Sequence, residues 1–473
     1  MSIPFIEKTR NKMHNKGRYF GPTLIVLLST ILTVLLLLFR ERFYAISVFI
    51  GAIFIVIFLY LKARDMLLLY FFAIIVLPLS IYAKPPIIYG INDYHIIGGF
   101  LFIFSVLIIK IIFNLGGIRK RKERLPLSFG IFELIVVFFT VIGYIKGYKS
   151  EWLLREFFYL SLYFFTFFFI NGEDIISFIK KFEKVLFISS VVILIEYILR
   201  YYWAFSHFDL RRVVTQQGNI ILFAFPLAFY SIFQQQSFKK RFIRIFTALS
   251  CILLAILSLQ RSLWLILSVD IILGFAYFLF SFGVNRETFK KILAVIIVLA
   301  VLTTLLIVVI NSYFNVIKLV RERLSTLSDK RITEDKSLNV RAEDFMEVKS
   351  LILRDFFLGA GIAAPIFQKN TGLHKEIVDN SYAVLIYKIG LIGLLSLLAL
   401  YFNAIKGSFC QILNRRDNYF FFAILVSLIN YLVISTSSSA MFYYRFNVII
   451  GILFAIVLKT GINSKKTRDE QNN

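Results

Sequence analysis

The side chains best suited to chemistry lie near the end of a polar stretch, residues 312–380, which separates two long apolar runs. His374 and Asp379 stand there, shortly before the chain becomes apolar again. Either group can act as a general base that takes the proton from a substrate hydroxyl. A solvated loop histidine, or an aspartate that only caps the following helix, explains the same residues without catalysis. Both interpretations stay open at this point.

Arginines beside apolar runs form the second group of candidates. Arg261 lies between two such runs, and Arg211 and Arg212 precede another. A buried arginine costs about 2.5 to 3.5 kcal/mol on insertion scales, so it needs a partner or water. Its planar guanidinium matches phosphate oxygens through paired hydrogen bonds. We predict that these arginines, with Arg341 of the polar stretch, neutralise an anionic substrate. Contact with lipid headgroups is the alternative.

The polar stretch has its own predicted elements. Apolar residues recur at helical spacing over residues 339–358, which predicts an amphipathic helix with Arg341 on its polar side. Such a helix can lie flat at a membrane surface and cover a cavity. Gly359 and Gly361 follow it and predict a tight turn where backbone can approach a ligand closely. A helix C-cap is the simpler interpretation of the glycines.

Composition defines the elements that must position these residues. Apolar residues make up 59% of the 473-residue chain, and Phe occurs 54 times. About 20 apolar residues cross the hydrocarbon core of a bilayer as a helix. In lipid the backbone must satisfy its own hydrogen bonds, which favours helices. The sequence therefore predicts an all-α, polytopic transmembrane protein with about 14 spans.

Basic loops orient these spans, because Lys and Arg are retained on the cytoplasmic side of a membrane. An even number of spans places both termini in the cytoplasm and residues 312–380 outside. The predicted organisation is a basic leader over 1–20, spans 1–11 within 21–311, the extracytoplasmic loop over 312–380, spans 12–14 within 381–459, and a tail over 460–473.

The net charge of +25 fits short basic loops beside anionic lipid better than nucleic acid binding. The cysteines, Cys251 and Cys410, lie too far apart in this topology to pair. The four histidines lack metal-ligand spacing, and neither a Walker loop nor a dinucleotide fingerprint is present. We therefore expect no metal and no cofactor.

The order of the motifs resembles the O-antigen ligase and polymerase family, which comprises bacterial integral membrane glycosyltransferases of the Wzy and WaaL type. The motifs that carry the resemblance are an outer Arg before a span, Ser258-x-x-Arg261, Arg341, Leu358-Gly359-Ala360-Gly361, and Asp379-Asn380-Ser381-Tyr382 leading into Ile389-Gly390-Leu391-Ile392-Gly393. They cover about residues 205–400, and the amino-terminal half matches only as hydropathy. The resemblance implies a GT-C-like helical fold.

It also implies transfer from a polyprenyl-diphosphate-linked oligosaccharide, such as an undecaprenyl diphosphate glycan, at the outer face of the bacterial cytoplasmic membrane. Family ligases commonly carry His directly before the Asn of the last motif, where this chain has Asp379. That departure favours a polymerase of repeat units for a cell-envelope polysaccharide: O-antigen, capsule, exopolysaccharide or a teichuronic-type polymer. A ligase that moves a finished glycan, and a flippase for the same lipid-linked sugar, are the alternatives.

The roles of the site residues divide into two groups under this resemblance. The expected catalytic residues are Asp379, His374 and Arg261. The expected substrate-binding residues are Arg211, Arg212, Arg341, Asn380, Gly359 and Gly361. Membrane lipids and other polysaccharide-assembly proteins, such as a flippase or a chain-length regulator, are the expected partners.

Overall fold

The structure is a computed structural model that describes residues 65, 67–68, 71–72, 126–169, 175–207, 216–234, 237–282, 286–325, 336–368, 373–375, 377–414 and 419–472. The chain divides into two compact units, Met1–Leu115 and Gly116–Asn473. The few described residues of the first unit are helical. All other described residues belong to the second unit.

The described part of the second unit opens with a series of helices. They are α1 (Leu127–Ile145), α2 (Ser150–Phe169), α3 (Ile175–His207), α4 (Ile221–Ser231), α5 (Phe238–Ser258), α6 (Arg261–Phe282), α7 (Arg286–Phe314) and α8 (Val316–Ser325). A short 3-10 helix, Gln216–Ile220, leads into α4. Every residue of α4 is buried, so this helix lies at the centre of the unit.

The remaining elements follow the polar stretch into the carboxyl-terminal helices. They are α9 (Lys336–Asp355), the strands β1 (Ile366–Gln368) and β2 (Leu373–Lys375), α10 (Ser381–Asn414), α11 (Tyr419–Ile434) and α12 (Tyr444–Asn472). The strands pair antiparallel in a hairpin. An all-α prediction misses this hairpin, although Ile366 is buried and Phe367 exposed, as the two-residue period of a strand requires.

Among the described helices, five are long and apolar enough to cross a membrane. They are Leu127–Ile145, Phe238–Ser258, Arg261–Ser281, Ile292–Ser312 and Ser381–Leu413. The mostly helical chain with these apolar spans agrees with an α-helical membrane protein. The number of about 14 spans stays a prediction.

A buried amide joins the carboxyl-terminal helices to α2. The Asn447 side chain accepts hydrogen bonds from the hydroxyls of Tyr163, at 2.8 Å, and Tyr431, at 2.9 Å. It donates to the carbonyl oxygens of Tyr159 and Met441, each at 2.8 Å. Both polar atoms of the amide are therefore satisfied, as burial requires.

The predicted helix over residues 339–358 is confirmed as α9, which begins and ends three residues earlier. Past its end, the Leu391 N–H donates to the Phe356 carbonyl at 2.9 Å. Near its start, Arg341 contacts Asp379, just before α10. These two contacts show that α9 runs beside the first part of α10, in the same general direction. That α9 lies flat at the membrane surface and covers a cavity stays a prediction.

Helix α10 is broken at Gly390, whose φ of 68° and ψ of 177° are not helical. The part after the break, residues 391–414, is about 36 Å long at 1.5 Å per residue. That length suffices alone for a hydrocarbon core of about 30 Å. The part before the break, with Asp379 and Asn380 at its start, is free to extend beyond the membrane.

Candidate functional site

Two of the predicted site residues contact each other directly. The Arg341 Nε donates to Asp379 Oδ2 at 3.1 Å, and the two side chains are 42% and 41% exposed. Arg341 lies in the first half of α9, and Asp379 lies two residues before α10. The pair thus joins the polar stretch to the helix that follows it, and solvent or a ligand can reach it.

Asn380, not Asp379, caps α10. The Asn380 Oδ1 accepts a hydrogen bond from the Ala383 N–H at 3.0 Å, which satisfies one of the free donors at the helix start. The alternative in which Asp379 serves only as the cap is therefore wrong. Its carboxylate is engaged with Arg341 instead.

The start of α10 is also held by the loop between α11 and α12. The Ser381 N–H donates to the carbonyls of Ser435, at 3.0 Å, and Ser438, at 3.1 Å. The Ser381 hydroxyl donates to the Ser438 carbonyl and accepts from the Met441 N–H. The backbone next to Asp379 is therefore fixed by hydrogen bonds to this serine-rich loop.

His374 lies in β2, where its backbone stands opposite Phe367 of β1. The hairpin lies within the polar stretch, after α9 and shortly before Asp379 in the chain. The choice between His374 and Asp379 as base stays a prediction.

Arg261 is the first residue of α6 and is half-buried. The turn before it requires Leu259 in a left-handed conformation, with φ of 52°. The Gln260 N–H donates to the Ser258 hydroxyl at 3.3 Å, and the Trp264 indole N–H donates to the Ala255 carbonyl at 2.8 Å. These bonds hold the backbone of the turn that positions Arg261.

Arg211 and Arg212 lie outside the described residues. The chain that follows them reaches the Arg261 turn, since a Cβ built on Gly218 would lie 3.7 Å from the Ser258 Cβ. That the two loops supply arginines to one cavity stays a prediction, as do the positions of Arg211 and Arg212.

Gly359 ends α9 as a C-cap. Its φ is 66°, and its N–H donates to the Asp355 carbonyl at 2.7 Å. A Cβ on Gly359 would lie 2.5 Å from the Gly390 nitrogen, and one on Gly361 would lie 3.0 Å from the Gly143 nitrogen. The close approach that these glycines permit is thus to the chain's own backbone. Their role in substrate binding stays a prediction.

The broken helix α10 and the turn after α9 satisfy each other. Because Gly390 is not helical, carbonyls in the preceding turn of α10 are free to accept other donors. The Ala360 N–H donates to the Tyr387 carbonyl at 2.6 Å, and the Gly361 N–H donates to the Lys388 carbonyl at 2.9 Å. The turn therefore fills the break in the helix.

The loop after α1 holds the same turn from another direction. The Lys146 ammonium and the Tyr148 hydroxyl both donate to the Ala360 carbonyl, at 2.9 and 3.2 Å. Partial burial raises the pKa of Tyr148; the charge of Asp355 adds to the rise and that of Arg354 opposes it. A raised pKa keeps Tyr148 protonated, so it remains a hydrogen-bond donor.

Sequence reasoning missed three charged residues near these elements. Glu156 of α2 and Lys388 of α10 form a buried ion pair. Arg445, in the first turn of α12, is also buried. The available signal is a charged residue within an apolar run, which is costly and therefore informative. It does not reveal the partner, which for Glu156 lies 232 residues away.

Comparison with protein families matches residues 246–398 to the family described as O-antigen ligase. A comparison with curated proteins gives no match to this chain. The matched region includes Arg261, Arg341 and Asp379, and it ends within α10. Over residues 246–398 the chain is therefore similar to the O-antigen ligase family, which confirms the predicted resemblance to the O-antigen ligase and polymerase family.

Proposed function

We propose that the protein is a glycosyltransferase that polymerises polyprenyl-diphosphate-linked repeat units at the outer face of the bacterial cytoplasmic membrane. The family match supports an enzyme of the O-antigen ligase or polymerase type that acts on lipid-linked glycans. The apolar helices support an integral membrane protein. The observation that carries the proposal is the accessible contact between Arg341 and Asp379 within the matched domain.

The arginines are assigned to the donor. A lipid-linked glycan carries its charge on the diphosphate, and that charge grows as the bond to the sugar breaks. One pair of unit charges about 4 Å apart is worth about 4 kcal/mol at an effective dielectric constant of 20. Arg261, with Arg211 or Arg212 and with Arg341, stabilises the departing diphosphate by this interaction.

The bond changes are those of a simple displacement. The oxygen of an acceptor sugar hydroxyl attacks the anomeric carbon of the donor glycan and forms the new glycosidic bond. The bond from that carbon to the diphosphate oxygen breaks, and its electron pair leaves with the polyprenyl diphosphate. The hydroxyl proton passes to Asp379 or His374. The step needs no oxidant and no nucleotide sugar.

Arg341 has two possible partners in this mechanism, the Asp379 carboxylate and the donor diphosphate. Its Nε is engaged with Asp379, and 42% of its side chain is exposed. A guanidinium has further N–H groups, which can bind phosphate at the same time. We propose that Asp379 orients Arg341 toward the donor, and that the same contact brings the carboxylate to the acceptor hydroxyl.

The test uses the purified full chain with a lipid-linked repeat unit as the only glycan. A ladder of longer products, formed without added metal or nucleotide, supports the polymerase. Transfer only after a second type of acceptor is added supports the ligase. Movement of the unchanged substrate across a vesicle membrane supports the flippase and contradicts both enzymes.

Arg341→Ala is the variant that connects this assay to the site. It removes the contact with Asp379 and should abolish ladder formation. Lys349→Ala is the matched control, because Lys349 is an exposed cation on the same helix. Equal activity in the two variants would remove Arg341 from the proposed mechanism.

A further inference from the structure

A buried ion pair joins α2 to α10 and takes no part in the proposed chemistry. Glu156 Oε1 in α2 contacts Lys388 Nζ in α10, and the side chains are 0% and 1% exposed. The ammonium also lies 5.6 Å from the centre of the Phe442 ring. Removing two charges from water is costly, and an apolar pair of similar volume is often at least as stable. Stability alone therefore does not explain these charges.

The second oxygen of the carboxylate offers an explanation. Glu156 Oε2 accepts a hydrogen bond from the Ala363 N–H at 2.9 Å. Ala363 is fully buried and has φ of 65°, a left-handed conformation that is unfavourable for any residue except glycine. Its buried N–H needs an acceptor. Glu156 supplies that acceptor, and Lys388 neutralises the charge of the carboxylate.

Ala363 belongs to the segment 359–365, here named the linking turn, which connects α9 to the hairpin. Besides its bonds to α10, the linking turn donates from the Ile362 N–H to the Phe139 carbonyl of α1 at 3.0 Å. Arg341 lies upstream of the linking turn on α9, and His374 lies downstream of it on β2. The conformation of the turn therefore sets the direction of both elements.

We propose that Glu156 is a positioning residue that holds the linking turn, and through it holds Arg341 and His374 at the candidate site, while Lys388 neutralises the buried carboxylate. This inference rests on the proposed function only where activity is measured. Its first measurement, a distance, does not depend on any activity.

The experiment compares two double variants that lack both charges. Glu156→Gln with Lys388→Met keeps an oxygen that can accept from the Ala363 N–H. Glu156→Leu with Lys388→Met removes that oxygen as well. If the pair acts only through its charges, the two variants should give the same distance distribution and the same activity. The positioning role predicts that only the leucine variant is impaired.

The distance is measured by pulsed electron paramagnetic resonance on the full chain in lipid nanodiscs. Spin labels are placed at Ser350 on α9 and at Leu395 on α10, both exposed, in a Cys410→Ser background. We expect one narrow distance distribution in the otherwise unchanged chain and in the glutamine variant. The leucine variant should show a broadened distribution. Narrow distributions in both variants would overturn the proposal.

The second measurement is activity per folded molecule, which a loss of stability alone does not change. Turnover per folded molecule should fall roughly tenfold or more in the leucine variant, because small misplacements of catalytic groups are costly. The glutamine variant should recover most of that loss. If the distances behave as expected while the unchanged chain transfers no glycan, the proposed function fails and the positioning role stands.

Two controls separate positioning from general damage. Asp270 and Asn430 form another buried polar pair, with 2.7 Å between Oδ1 and Nδ2. Replacing both by Leu should leave the α9 to α10 distance narrow, and equal broadening there would overturn the proposal. If the leucine variant of Glu156 does not accumulate, Glu156→Ala with Lys388→Met replaces it. Alanine also lacks the acceptor oxygen, so a narrow distribution in that variant would also overturn the proposal.

Discussion

At the scale of single residues, the contact between Arg341 and Asp379 matters for its position more than for its strength. Exposed ion pairs typically contribute about 0.2 to 1 kcal/mol to folding, because solvent screens them. Both side chains here are partly exposed. Removing the pair should therefore change the stability of the protein little. Any large loss of activity in such a variant then reports on chemistry.

Asp379→Asn tests which group takes the proton. Asn380 already caps α10, and an amide oxygen at position 379 still accepts from Arg341, so we expect folding to be retained. If Asp379 is the base, chain growth is abolished. If His374 is the base, Asp379→Asn is nearly silent and His374→Ala is the damaging change. Polymer length and thermal midpoint should be measured for both variants, and two silent variants would contradict the proposed chemistry.

Arg261→Lys tests the phosphate contact. The ammonium keeps the positive charge but lacks the planar fork that binds two oxygens at once. We expect most of the activity to be lost while the protein still inserts and accumulates, because the turn before α6 is held by backbone and by Trp264. Activity assays and membrane fractionation give the two readouts. Polymer of normal length would instead indicate that Arg261 only contacts lipid headgroups.

At the scale of elements, Gly390 is the residue on which the shape of α10 depends. Its φ of 68° is strained for other residues, and a Cβ there would lie only 2.1 Å from the Phe357 carbonyl oxygen. Gly147 also has positive φ, of 73°, but a Cβ there would meet nothing within 4 Å. Comparing Ala substitutions at Gly390 and Gly147 therefore tests whether a steric clash adds to the cost of a positive φ.

Gly390→Ala should destabilise the protein by clearly more than Gly147→Ala does. A residue with a Cβ in a sparsely populated backbone conformation costs about 1 to 3 kcal/mol, and the φ of 68° with ψ of 177° at Gly390 lies in a region that is essentially restricted to glycine. Gly390→Ala adds a collision with the turn that fills the helix break. Thermal midpoints of the two purified variants give the comparison. Equal shifts would mean that the backbone at Gly390 moves aside without cost.

The sequence predicts the helices better than their arrangement. The periodicity of residues 339–358 reveals α9, and a glycine after a periodic segment is a standard sign of a C-cap. The break at Gly390 is hidden, because a glycine within an apolar run also fits an unbroken helix. It is stable only because the turn after α9 supplies donors for the freed carbonyls. That partner is a tertiary contact, which a local pattern does not contain.

Tertiary contacts also determine which features of the candidate site the sequence predicts and which it does not. Residue type and place in the motif order point to Asp379 and Arg341 as site residues. The structure shows that the two side chains contact each other. The cap could be assigned only from geometry, since Asp379 and Asn380 are both good capping residues. The charges of Glu156 and Lys388 are visible in the sequence, but their pairing depends on the packing of α2 against α10.

At the scale of the whole molecule, the helix ends near the candidate site are connected to one another by hydrogen bonds. The start of α10 bonds to the loop between α11 and α12 through Ser381, and the loop after α1 bonds to the linking turn through Lys146. These ends therefore lie on the same side of the second unit. The predicted topology assigns that side to the outside, because the basic loops fall at the opposite ends.

Cysteine labelling tests this assignment with two matched serine substitutions. Ser350 is exposed on α9, and Ser237 is exposed just before α5, next to the basic residues Lys239 and Lys240. In a Cys410→Ser background, Ser350→Cys should react with a membrane-impermeant maleimide in intact cells. Ser237→Cys should react only after the membrane is permeabilised. A polyprenyl diphosphate donor presented at the outer face can reach Arg341 and Asp379 only in this orientation, so reversed labelling would remove the outer-face mechanism altogether.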